Sequence, residues 1–153
     1  MNEEDNKAVV KRFIEQMWNQ RQLELADELF ALDCVTHQLR GADSSGESRP
    51  PESIKAEASA WFAAFPDLRF EIEQMFAADD HVTTRFTMRG THTGAWMGLG
   101  PTGKKVTVPM ITIHRIRDGK IVEDWVLVGS LTLFQQLGVL PDTPQIISDA
   151  LKR

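Results

Sequence analysis

Three side chains in this sequence have the types and settings to move a proton: His114, Asp124 and His37. An imidazole titrates at about pH 6.5, and a carboxylate pressed into an apolar site can be raised toward that range, so either can act as a general base and then as an acid. His114 shares one face of an alternating segment with Val106, Val108, Met110 and Thr112. The plainer reading of such a residue is a core histidine satisfied by its neighbours. Asp124 lies two residues before Val126 and so on the same strand face; its plainer reading is a rim acid paired with a Lys or Arg. His37 ends the short extended piece Asp33-Cys34-Val35-Thr36-His37, where a surface or capping role is the alternative. Trp18, Trp61, Phe65, Phe86, Met110, Trp125 and Val126 are candidates for the lining of a slot that takes a flat ligand. Core packing alone would also bury most of them. Trp96 and Met97 lie in a Gly-rich loop and suggest a lid or a dimer contact. No tyrosine is present, and the single Cys34 excludes an internal disulfide. No Cys/His cluster has metal-ligand spacing, so no metal is expected.

These residues need a frame to hold them, and the frame is a run of long alternating segments. Asp80–Thr93 sets Val82, Thr84, Phe86 and Met88 against Thr83, Arg85, Thr87 and Arg89. Lys104–Arg117 follows, then Ile121–Val128 after an Asp118-Gly119 turn, the strongest short-range hairpin signal. Period-2 patterning rich in Val, Ile, Thr and Phe predicts strands. Leu68–Phe76 adds another. Helical spacing is read from Asn2 through Trp18, over Leu23 to Phe30, and from Glu52 to Phe65, where Pro66 stops it. Ser130–Leu137 is a short apolar helix ended by Gly138, and the tail holds a short amphipathic helix. Arg40 to Pro51 reads as a polar loop near the mouth of any pocket. Helices first and a long meander after predict an α+β fold, a curved antiparallel sheet packed with N-terminal helices around an apolar pocket. The expected boundaries are one domain over 1–153, with a core of about 4–138 and a tail of 139–153. Ile111 and Ile113 make the second sheet face apolar too, which predicts a homodimer.

The 153 residues, 42% hydrophobic and 25% charged, describe an ordinary globular chain large enough for its own core. A net charge of −5 with no Lys/Arg run longer than two disfavours nucleic acid and anionic membranes. No apolar run is long enough to span a bilayer, and the acidic start resembles no signal peptide, so a cytoplasmic setting is expected.

Phe65-Pro66-Asp67, Arg89-Gly90-Thr91-His92-Thr93-Gly94, Pro101-Thr102-Gly103-Lys104, Arg115 through Glu123 with Trp125, and Gln135-Gln136-Leu137-Gly138 together resemble the SnoaL-like polyketide cyclase family over about Glu4 to Gly138. The resemblance implies the nuclear transport factor two-like cone. It also implies cofactor-free chemistry on a small hydrophobic carbonyl or ester ligand: aldol-type cyclisation or a related isomerisation by proton transfer. In the family one Asp of the last long strand carries the proton. Ungapped placement puts that position at Val126, and the acid that many relatives carry three residues on becomes Gly129. Valine transfers no proton, so the resemblance leaves His37, Asp124 and His114 as replacements. A non-catalytic small-molecule-binding or interaction module of the same fold is the alternative, and whether the chain is an enzyme stays open at this level. His37 matches a position where relatives often carry a histidine near the pocket mouth. His92 reads as a residue that shapes its loop, and His81 as plain surface.

Overall fold

A computed structural model describes residues 2–41 and 45–153; three residues of the expected polar loop, 42–44, lie outside them. Helix α1 (Glu3–Arg12) starts where the sequence caps it. Asn2 accepts from the Asp5 amide at 2.8 Å, Asp5 accepts from the Asn2 amide at 3.3 Å, and three acids occupy the first turn. It runs on into a π-helical segment, Phe13–Asn19, which widens the turn and buries Phe13, Ile14, Met17 and Trp18 on one side. Helix α2 (Leu25–Leu29) is short, and α3 (Pro51–Ala64) begins with proline at its first position, where the missing N–H costs nothing. Helices α4 (Ser130–Gln136) and α5 (Thr143–Leu151) close the chain.

The strands are β1 (Phe30–Gln38), β2 (Glu47–Ser48), β3 (Arg69–Ala78), β4 (His81–Thr91), β5 (Lys105–Arg117) and β6 (Lys120–Val128). Among the described residues they form one sheet in the order β2-β1-β6-β5-β4-β3. The β5–β6 hairpin turns on Asp118 and Gly119, both at positive φ, the backbone that a two-residue turn between twisted strands requires. The meander β3–β6 is antiparallel, as its turns dictate. One pairing departs from the antiparallel expectation: β1 lies parallel to β6, with Thr36 beside Asp124 and Gln38 beside Val126. The sequence hid this because β1 is nine residues long where only a five-residue extended piece was legible.

Alternation divides the sheet into two faces. Val82, Thr84, Phe86 and Met88 of β4 and Val106, Val108, Thr112 and His114 of β5 point to the core beneath α1 and α3. Burying each large apolar side chain there contributes roughly 1.5–3 kcal/mol. The other face leaves Ile111 and Leu127 44% and 45% exposed. No helix among the described residues is long and apolar enough to cross a membrane.

Candidate active site

The inner face of three strands builds the site row by row. In one row His114 of β5 stands opposite Asp124 of β6, and Asp124 is paired with Thr36 of β1. In the next, Thr84 of β4 faces Thr112, Thr112 faces Val126, and Val126 pairs with Gln38. Val126, where the resemblance leads one to expect an acid, and Asp124, two residues earlier on β6, share this inner face.

Asp124 is fully buried. Its Oδ1 accepts from the Thr36 hydroxyl at 2.5 Å and its Oδ2 from Arg49 Nη1 at 3.1 Å. His114 Nε2 lies 3.8 Å from the same Oδ2, beyond hydrogen-bond reach. Arg49 comes from the polar loop just ahead of α3, where its amide donates to the Cys34 carbonyl at 2.8 Å. Its guanidinium bridges inward to Asp124 and outward to Glu57 of α3, whose Oε2 accepts from Nη2 at 2.7 Å. An unpaired buried charge would cost several kcal/mol, so this bridge is what allows both Asp124 and Arg49 to be buried. Gln38 donates to the Thr36 hydroxyl at 3.0 Å and completes the network.

Burial pushes the His114 imidazole down to about 4; Asp124 opposes that shift and Arg49 adds to it. His114 is therefore neutral at pH 7, with one donor and one acceptor nitrogen. Its Nδ1 has no hydrogen-bond partner among the described residues, nor do Arg49 Nε and the hydroxyls of Thr112 and Thr84. Cys34 is inert: burial, then Asp124, pushes its thiol up to about 12.

This network forms part of the wall of a cavity of about 390 Å³ that is otherwise mainly apolar. Trp18, Phe86, Met110 and Val126 line it, and Trp61, Trp96 and Phe134 form an aromatic wall with centroids 5.3 and 6.0 Å apart. Trp96 belongs to a tight turn in which its amide and that of Leu99 exchange hydrogen bonds with each other's carbonyls at 2.9 and 2.8 Å. Met97, at the tip, is 85% exposed and overhangs the opening. Gly94 lets that loop pass over α3, since a Cβ there would meet the Ala63 carbonyl at 1.8 Å. Among the described residues no group of three or more His, Cys, Asp or Glu is arranged to hold a metal.

The expected site residues are thus divided. His114, Asp124, Trp18, Trp61, Phe86, Met110 and Val126 line the cavity. His37 and Trp125 do not. They sit on the other face, stacked at 5.1 Å and almost parallel, and His37 Nε2 pairs with Glu123 at 2.8 Å. Parity is the reason: Thr36 and Asp124 take the inward positions, so their chain neighbours point out. Phe65 is wholly buried behind the aromatic wall, against Trp61 and His92. His92 accepts from the Thr102 amide at 3.1 Å and shapes its loop. Sequence reasoning missed Arg49, Glu57 and Thr36. Within the polar run before Pro50, no pattern said that Arg49 folds inward.

The SnoaL-like polyketide cyclase family model matches residues 8–137. Among solved structures the chain resembles AclR, a putative hydroxylase from Streptomyces galilaeus. Identity is 28% and the TM-score 0.82, over 99% of this chain and 92% of that one. IdmH, a putative polyketide cyclase from Streptomyces antibioticus, is 31% identical, with a TM-score of 0.74 over 87% of this chain and 98% of that one. A putative SnoaL-like polyketide cyclase from Jannaschia sp. CCS1 is 20% identical, with a TM-score of 0.79 over 91% and 95%, and shows the fold alone. No curated protein matches the sequence.

Proposed function

The chain belongs to the SnoaL-like polyketide cyclase family, and from that membership we propose that it catalyses proton transfer on a small, flat, apolar carbonyl compound, with Asp124 as the proton carrier. The observation that supports this most is the placement of Asp124: among the described residues it is the one Asp in the wall of an otherwise mainly apolar cavity, one pleat from Val126. The Asp124 carboxylate takes a proton from the carbon next to a carbonyl, and the C–H electron pair passes into the enolate. The enolate carbon then bonds to a second carbonyl of the same molecule, whose oxygen takes the proton back from Asp124. Nothing else is consumed. Thr36 and Arg49 hold the carboxylate in place, and the mainly apolar wall around it strengthens the electrostatic interactions there.

A second reading, a binding module without turnover, is favoured by one feature: both Asp124 oxygens are already engaged, by Thr36 and Arg49. Solvent-deuterium exchange into the α-carbon of methyl 3-oxo-3-(2-naphthyl)propanoate, followed by NMR against buffer, separates the two. Exchange above buffer that Asp124→Asn abolishes supports the enzyme. Saturable binding without exchange, with exchange appearing in Val126→Asp, supports the module. The proposal extends to a homodimer through the outer sheet face, supported by the exposure of Ile111 and Leu127. Leu127→Arg then yields a monomer by sedimentation, with the cavity still able to bind.

A further inference from the structure

The polar network at the end of the cavity has a direction. A carboxylate only accepts hydrogen bonds and a guanidinium only donates them. The Thr36 hydroxyl has one hydrogen, and its 2.5 Å contact with Asp124 Oδ1 uses it. Thr36 is then the acceptor in its 3.0 Å contact with Gln38, so the Gln38 amide turns its nitrogen toward Thr36. The carbonyl Oε1 is what is left over. It has no partner among the described residues, and unlike Arg49 Nε or His114 Nδ1 it is not sealed in, since Gln38 is only half-buried.

Strand parity aims this residue. Thr36 and Gln38 face inward on β1, while His37 between them stacks on Trp125 outside. Gln38 stands beside Val126, one row from Asp124, and all three line the cavity. We propose that Gln38 is a specificity-determining residue whose Oε1 accepts a hydrogen bond from a hydroxyl on the ligand, so that the preferred ligands are flat phenols and enols rather than their ethers. This deepens the proposed function by naming its substrate class, and it rests on the reading of Asp124 as proton carrier. One pleat is about 7 Å along a strand, roughly the width of an aromatic ring. A hydroxyl on one side of the ring at Gln38 therefore sets an acidic carbon on the other side against Asp124. A ligand O–H that leaves water finds its acceptor there. An ether instead brings its own lone pairs against the carbonyl oxygen, and both stay unpaired. Asp124 and Glu57, the carboxylates of the same wall, are the competing acceptors.

2-Naphthol and 2-methoxynaphthalene share a ring system, but only the first donates a hydrogen bond. Calorimetry at about pH 7, where a phenol keeps its proton, measures the affinity of each. Comparing the ratio of the two affinities between chains cancels the effect of the extra methyl group. Gln38→Met, similar in length but without the carbonyl, is expected to lower the preference for the naphthol by roughly fivefold and to leave the affinity for the ether within about twofold. A merely structural change would weaken both ligands alike. Gln38→Asn keeps the amide but withdraws it by one carbon, and it lowers the preference as well. Asp124→Asn and Glu57→Gln leave the preference in place. A preference unchanged in both Gln38 variants, equal loss of the two ligands, a preference that follows Asp124 or Glu57, or binding of neither compound would each overturn the assignment. None of these measurements involves turnover, so failure of the deuterium exchange and failure of this assignment are told apart.

Discussion

Glu123 and Asp124 are neighbours in sequence, and each carboxylate has an arginine and a histidine within 4 Å, yet the two triads differ in nearly every physical property. Glu123 points to the outer face with His37 and Arg115, a quarter exposed. Its carboxyl is held below its usual value, first by the His37 hydrogen bond and also by Arg115. Asp124 points inward with His114 and Arg49, out of contact with water. Outside, water screens the charges, so the histidine and the arginine are optional. Inside, the dielectric is low, the histidine gives up its proton, and the arginine is obligatory. A carboxylate, a histidine and an arginine form a surface ion-pair cluster in one place and a buried polar network in the other, and one step of strand parity decides which.

The widest gap between the triads should appear on truncation. Asp124→Ala leaves Arg49 buried beside a void and should destabilise the fold by about 3–5 kcal/mol, whereas Glu123→Ala should cost no more than about 1 kcal/mol. Urea denaturation of both variants measures the contrast, and equal losses would break it.

Acid should separate the triads next. His114 accepts a proton at about pH 6.5 when unfolded and only at about 4 when folded. Between those values the unfolded chain binds the extra proton, so stability is unaffected above the window, falls as pH drops through it and levels off beneath. The loss is on the order of 3 kcal/mol. His114→Gln should flatten that limb of the stability curve. Glu123 acts lower: its stabilisation is complete above about pH 4.5 and disappears as pH falls through its depressed value.

Ligand binding sharpens the contrast between the faces. Trp61→Ala, in the cavity wall, should weaken binding of the naphthyl ester by roughly tenfold, while Trp125→Ala on the outer face should leave the affinity within about twofold. Calorimetry reads both. The smallest effect belongs to the outer pair: raising salt toward about 1 M should remove most of what the Glu123–Arg115 contact contributes and leave the Asp124–Arg49 contact nearly intact.

Much of this was legible from residues alone. Alternation in Lys104–Arg117 placed Met110 and His114 on one face, and the Asp118-Gly119 turn fixed the last hairpin. Parity also put Asp124 with Val126. His37 and Trp125 went astray because β1 pairs with a strand far along the chain, and nothing local tells which of Thr36 and His37 faces in. Arg49 was illegible for a different reason: a polar loop residue becomes a buried cation only because Asp124 and Glu57 happen to meet it, and such long-range pairing leaves no periodic trace.

The parallel pairing of β1 with β6 also dictates when the cavity can exist. Thr36 and Arg49 meet Asp124 across 88 and 75 residues of chain. Contacts that distant are the last to form, since the loops between them must close first. The hairpins of β3 to β6 can assemble early from neighbouring segments, but the polar end of the pocket waits until both halves of the chain have been made and docked. Recovery of ligand binding should therefore lag behind recovery of strand structure during refolding.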